Sequence, residues 1–147
     1  MKKILVSACL LGVACRYDGK SKPVDEVVAL KEKYCLIPVC PEILGGLPTP
    51  RIPCEIKECR VLNRESEDKT AEYIKGAEEV LRLARLLECD TAVLKKKSPS
   101  CGSGEIYDGS FTGKTVQGYG ICAELLKANG IKVLDETQIL KSQDGGL

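Results

Sequence analysis

The chain has 147 residues, room for one domain with a single core and too little for two. Its 22 basic and 21 acidic side chains leave a net charge of +1, which excludes the strongly basic surface that unaided nucleic-acid binding needs and favours a small substrate over a stable nucleic-acid partner. Nine cysteines and no histidine exclude every His-based mechanism and leave acid–base work to Asp, Glu, Lys, Tyr, Ser or Cys.

Lys2-Lys3 ahead of Ile4-Leu5-Val6-Ser7-Ala8-Cys9 resembles a lipoprotein export signal. The apolar stretch there is about three residues, against the roughly 7–15 that such a signal requires. No apolar run reaches the ~18 residues of a membrane span. The odd cysteine count and the lack of a disulfide-scaffold spacing point to reduced thiols and a cytoplasmic location.

Ile4-Leu5-Val6 reads as a buried parallel strand and residues 12–22 as a loop. Pro23 and Asp25-Glu26 start a helix to about Tyr34, with Val27, Val28 and Leu30 on its apolar face. Leu36–Val39 reads as a second strand, and Pro38 assigns it to an edge or a strand end. Cys40-Pro41-Glu42 begins a short helical turn that Gly45-Gly46 ends. The proline-rich 48–64 stretch reads as a hairpin or an extended excursion.

Lys69 to Leu87 is the clearest helix: Ile74, Ala77, Val80 or Leu81, Ala84 and Leu87 recur at helical steps, and Ser66, Asp68 or Thr70 can cap it. Thr91–Leu94 is a third strand, followed by a Gly/Ser/Pro loop through Cys101 to Gly104 and a turn at Asp108-Gly109. Gly118 or Gly120 opens a last helix through Ala128, which Asn129-Gly130 closes, and Ile131–Leu134 is a fourth strand. Strands alternating with helices predict an α/β fold: a three-layer αβα sandwich around a small parallel sheet, Rossmann-like, in the order 2-1-3-4, with its site at the carboxyl edge. One domain over 1–140 and a flexible tail over 141–147 complete the expectation.

Three apolar runs lead to Cys9, Cys40 and Cys101, which a parallel sheet would gather in one crevice. Three thiolates suit a metal or cluster with an open coordination position, whereas a closed zinc site usually takes a fourth protein ligand. Glu42, two residues beyond Cys40, fits either a general acid or base or a carboxylate favoured by a helix dipole. Ser100 fits a proton donor or a turn hydroxyl. Arg16, Asp18 and Arg51 suit a substrate grip or plain ion pairs. Lys95-Lys96-Lys97 suits a phosphate or nucleotide, or a solvated face. Cys35, Cys89 and Cys122 read as small hydrophobes. Cys54 and Cys59 fit a metal pair, a disulfide, or mere neighbours on a hairpin. Cys15 fits a fourth ligand, a redox partner or a bystander.

Ser7-Ala-Cys-Leu-Leu-Gly12, Cys15-Arg-Tyr-Asp-Gly19, Cys40-Pro-Glu42 with Gly45-Gly46-Leu47 and Pro50-Arg51, and Lys97-Ser-Pro-Ser-Cys-Gly102 together resemble the thiouracil desulfidase family, in a single-domain form, over roughly Lys3 to Leu134. The resemblance implies that Cys9, Cys40 and Cys101 hold a [4Fe-4S] cluster with one open iron, and that Glu42 and Ser100 match the catalytic carboxylate and hydroxyl. It implies non-redox desulfuration of a thiolated pyrimidine, as base, nucleoside or nucleotide, to the oxo form with release of sulfide. Cys15 is an extra thiol beside the family's three. The alternatives are a zinc-binding or thiol redox-sensing module, and a cluster-dependent sulfur transferase. Oligomeric state is not legible.

Overall fold

In the computed structural model, which describes residues 1–141 and 147, the chain runs in order through β1 (Lys3–Ser7), α1 (Asp25–Val28), β2 (Cys35–Val39) and α2 (Pro41–Leu44). It continues through β3 (Cys54–Lys57), β4 (Arg60–Asn63), α3 (Thr70–Leu86), β5 (Thr91–Leu94), β6 (Ser103–Tyr107) and β7 (Thr115–Tyr119). It closes with α4 (Ile121–Ala128), β8 (Lys132–Asp135) and α5 (Glu136–Lys141).

The central sheet is parallel, in the order β2-β1-β5-β8, which is the expected 2-1-3-4. β2 takes the edge, where Pro38 has no second neighbour to disappoint with its missing amide hydrogen. Alternate residues of each strand face opposite ways. Leu5, Ala92 and Leu94 pack with Ala77, Val80, Leu81 and Ala84 of α3 and Cys122, Ala123 and Leu126 of α4. Ile4, Val6 and Val93 pack with Val27, Leu30 and Ile139 on the other face. Both faces are covered, which is why the central strands β1 and β5 read as unbroken apolar runs.

Several elements differ from expectation. The helix expected to Tyr34 is one α-helical turn, α1, followed by a 3₁₀ turn over Ala29–Glu32. Ile74, expected on the buried stripe of α3, is 45% exposed, and Tyr73 is buried in its place. The cause is α2, which lies against the Gly76 side of α3 and turns that face inward. The β6–β7 hairpin was not legible because Gly104, Glu105, Gln117 and Gly118 give it no apolar run. α4 is not the last helix, because α5 follows β8. The tail expected over 141–147 lies, apart from Lys141 and Leu147, outside the described residues.

α2 and α3 touch backbone to backbone. A Cβ on Gly76 would stand 1.8 Å from the Pro41 carbonyl oxygen, and one on Gly45 would stand 2.0 Å from that of Glu72. Gly76→Ala must therefore push α2, with Cys40 and Glu42, off α3. In an unconstrained helix interior the same change stabilises. Here urea unfolding should show a loss of about 1–3 kcal/mol; any gain would contradict the contact.

Lys69 holds the N-cap position of α3 without a side-chain cap, and Asp68, one residue earlier, accepts the Thr70 amide hydrogen at 2.8 Å. Hydrogen bonds from Thr70 and then Arg60 lower its pKa to about 2. Its folded-state pKa lies below the unfolded one, so its contribution is complete above about pH 4 and fades as pH falls toward 2. Asp68→Asn should flatten the acid limb of the stability curve over that interval, measured by denaturation at stepped pH.

Candidate active site

Three strand ends carry the thiols. β1 ends at Ser7 and turns at once into a 3₁₀ turn, Ala8–Leu11, which buries Cys9. β2 ends one residue before Cys40, the extended residue that caps α2, with Pro41 at the first helical position and Glu42 in the first turn. β5 ends at Leu94, and the loop beyond it folds back to bury Cys101.

That loop is held from within and from α4. Ser98 Oγ accepts the Cys101 amide hydrogen at 2.7 Å. The amides of Ile121, Cys122 and Ala123 donate to the Pro99 and Ser100 carbonyls at 2.8, 2.9 and 3.1 Å. The first turn of α4 thus spends its orphan donors on the loop. A Cβ on Gly120 would stand 2.5 Å from the Ser100 carbonyl carbon, so glycine is what admits this approach.

Cys9, Cys40 and Cys101 line one cavity of about 590 Å³, together with Cys15, Glu42, Arg51 and Ser100. Ser7 Oγ accepts the Lys95 amide hydrogen at 2.9 Å and donates to Cys101 Sγ at 3.5 Å. Glu42 is held at both oxygens: Arg51 Nε donates to Oε1 at 2.9 Å, and Ser100 Oγ donates to Oε2 at 2.8 Å. The Arg51 and Glu42 side chains are only 6% and 12% exposed, so they form a buried ion pair. Arg51 also donates to the carbonyls of Cys15 at 2.9 Å and Pro48 at 3.2 Å, and to Thr49 Oγ1 at 3.1 Å. Ser100 Oγ lies 3.5 Å from Cys101 Sγ and 3.3 Å from Ser98 Oγ.

Burial pushes the Cys101 thiol up to about 11, against the hydrogen bonds from Ser7 and Ser100. A hydrogen bond with Cys15, followed by burial, holds Cys40 well above the ordinary thiol range. Cys15 is raised too, although its bond with Cys40 lowers it, because its bond with Cys9 and burial act the other way. Burying these sulfurs as thiolates is costly unless a cation offsets their charge. Among the described residues no three His, Cys, Asp or Glu side chains are grouped to hold a single metal ion.

The remaining candidates are distributed around this centre. Arg16 lines the cavity and pairs with Asp18 at 3.8 Å, while Asp18 does not line it and accepts the Lys20 amide hydrogen at 3.0 Å. Lys95 pairs with Glu136 at 3.1 Å and Lys97 with Glu105 at 3.6 Å. Cys54 is buried in β3, whereas Cys59 is exposed at the β3–β4 turn, so the two are free thiols with no shared site. Cys89 and Cys122 are buried in the core as expected, but Cys35 is exposed at the start of β2.

Two parts of the cavity wall carry no signal in the sequence. Glu55 Oε1 accepts the amide hydrogens of Gly109 and Phe111 at 3.0 and 3.1 Å, which ties the β6–β7 loop to β3 and brings Phe111 to the cavity wall. Buried Tyr73 also reaches the wall from α3. Ser7 was missed as well, though its place at the last residue of β1 was a usable signal.

The model of the 2-thiouracil desulfurase family matches residues 4–138. The chain is 38% identical to the protein YbbK of Bacillus subtilis (strain 168), over 92% of this chain and 97% of that one. Its fold superposes on a solved structure, the [4Fe-4S]-dependent thiouracil desulfidase TudS, with a TM-score of 0.87 and 42% identity, covering 96% of this chain and 95% of that one.

Arg51→Ala should leave the Glu42 carboxylate buried without its cation, and chemical unfolding should register a loss of about 3 kcal/mol. Adding Glu42→Gln to that variant should recover part of the loss. A single variant within about 0.5 kcal/mol of the parent would mean the pair is not a structural tie.

Proposed function

The chain belongs to the 2-thiouracil desulfurase family, and from that membership and the site's geometry we propose that Cys9, Cys40 and Cys101 hold a [4Fe-4S] cluster beside a Glu42–Ser100 proton path. The chain is a C–S bond-cleaving enzyme whose iron–sulfur-dependent reaction desulfurates thiouracil. The observation that carries the assignment is the meeting of the three thiols, from three separate strand ends, at one cavity that also holds Glu42 and Ser100.

The donor set fits the group. Thiolates are the ligands that clusters take, three leave one iron without a protein ligand, and the cationic irons offset charge that burial would otherwise suppress. A structural zinc ion would need four converging donors. When bound, the cluster supplies a Lewis acid suited to the soft thiocarbonyl sulfur.

The chain's own residues supply proton movement. Arg51 occupies Glu42 Oε1, so Glu42 works through Oε2. Glu42 takes a proton from the water whose oxygen adds to the thiocarbonyl carbon. Ser100, whose Oγ donates to Glu42 Oε2 and lies 3.5 Å from Cys101 Sγ, carries a proton toward the departing sulfur. Ser98, 3.3 Å from Ser100, can replenish it. Thiocarbonyl and water become carbonyl and hydrogen sulfide, with no net electron transfer. Arg51 serves first as the residue that orients Glu42, and Arg16, with Asp18 behind it, as a grip at the wall.

The cavity wall favours an anionic substrate form. Lys22, Arg64 and Lys96 line it and form no ion pair among the described residues. A thiolated nucleotide, with its phosphate on these cations, is the better match than the free base.

Cys→Ala at position 9, 40 or 101 should abolish iron content and turnover together; full activity in a cluster-free variant would remove the assignment. Glu42→Gln keeps a hydrogen-bonding side chain and should keep the cluster, while kcat falls about 100-fold or more. With the cluster intact, an unchanged kcat would remove Glu42 from the chemistry. Thiouridine 5′-monophosphate should show a lower KM than thiouracil, an advantage that added salt erodes. One sulfide per dethiolated product distinguishes hydrolysis from sulfur transfer.

A further inference from the structure

Five thiols line the cavity and the proposed cluster takes three. Of the other two, Cys54 lies on β3, and the one beside Cys40 is Cys15. It is 3% exposed and lines the cavity with both Cys9 and Cys40. Cys40 Sγ also approaches the Cys15 carbonyl oxygen at 3.8 Å, and that same carbonyl is fixed by Arg51 Nη2 at 2.9 Å. Cys101 is served differently, by the hydroxyls of Ser7 and Ser100.

Cluster ligands must stand apart, because each binds a different iron. A disulfide needs the opposite, with sulfurs about 2.05 Å apart and Cβ atoms about 3.5–4.5 Å apart. Thiols spaced for the cluster are therefore poorly placed to protect one another when the cluster is lost. A thiol oxidised alone advances to sulfinic acid, which is not recovered by simple thiols, whereas a disulfide is. A partner thiol in contact with a ligand, but not itself needed as one, resolves that conflict.

We propose that Cys15 and Cys40 form a reversible oxidation site, in which Cys15 captures Cys40 as a disulfide when a hydroperoxide strips the cluster. The inference rests on the reading of Cys40 as a cluster ligand. The steps balance with hydrogen peroxide as the oxidant. One sulfur attacks the peroxide O–O bond, giving a sulfenic acid and water. The second sulfur then displaces the sulfenic oxygen as a second water. Two thiols lose two electrons and two protons, and one peroxide becomes two waters. The Cys15–Cys40 bond closes a loop within the cavity and keeps both sulfurs from further oxidation. Cys15 sits on the loop after β1 and Cys40 at the start of α2, so the bond joins two strand ends already adjacent in the sheet.

The test uses reconstituted holoenzyme and, in parallel, cluster-free full-length chain. Each is exposed to a few equivalents of hydrogen peroxide, alkylated, and mapped by mass spectrometry without reduction. The expected product is a linked pair of peptides containing Cys15 and Cys40, two hydrogens lighter than the separate peptides. Dithiothreitol, iron and sulfide should then restore most of the cluster absorbance. Cys15→Ser should give no such pair, should carry Cys40 to sulfinic acid, and should recover several-fold less cluster. A wild-type map in which Cys40 is unlinked or joined to Cys9 or Cys101 would overturn the proposal, as would equal recovery by Cys15→Ser. The wild-type map decides even where a variant folds poorly. A wild-type chain that binds no iron would instead overturn the cluster assignment, and the cluster-free arm would still decide the disulfide.

Discussion

The site depends on β1 lying between β2 and β5 in parallel register. Ser7 pairs with Val39 and Val6 with Val93, so the three strands end nearly level. Each then needs only a few residues to deliver a sulfur to the same cavity: two beyond Ser7, one beyond Val39, and a short folded loop beyond Leu94. An antiparallel pairing would send one of those ends to the opposite edge. The parallel sheet therefore decides that these cysteines meet at all, and the helices on both faces pack apolar side chains behind it.

Once gathered, the sulfurs must be held apart and in place. Two glycine contacts do much of this, Gly45 with Gly76 behind Cys40 and Glu42, and Gly120 behind Ser100 and Cys101. Both bring helix backbone directly against the segment that carries a functional side chain, which loop packing alone would leave looser. The buried Arg51–Glu42 pair acts on the third dimension, tying α2 to the 48–51 loop and to the Cys15 carbonyl. The second oxygen of Glu42 is left to a neutral hydroxyl, that of Ser100.

Much of this was legible in the sequence because the relevant signals are local. Apolar runs marked the four sheet strands, interrupted by Lys132 in the fourth, Pro38 marked the edge, and Pro41 and Gly45 bracketed α2. The sheet order and the shared cavity of Cys9, Cys40 and Cys101 followed. What was not legible depends on partners distant in sequence. The β6–β7 hairpin carries glycines and polar residues and takes its position from Glu55. Tyr73 replaces Ile74 in the core because α2 sets the rotation of α3. The fate of Cys54 and Cys59 turned on which lay at a hairpin tip, a matter of register rather than spacing.

The central proposal is that Cys9, Cys40 and Cys101 would hold a cluster with one iron left free of protein ligands, which would supply the Lewis acid for a thiocarbonyl sulfur. Mössbauer spectroscopy of protein reconstituted with ⁵⁷Fe, before and after a thiolated pyrimidine is added without oxygen, addresses it most directly. The account expects about a quarter of the iron to form a distinct component, and that component alone to shift on adding substrate. Iron in four equivalent environments unmoved by substrate, or iron bound only as isolated ions, would contradict it.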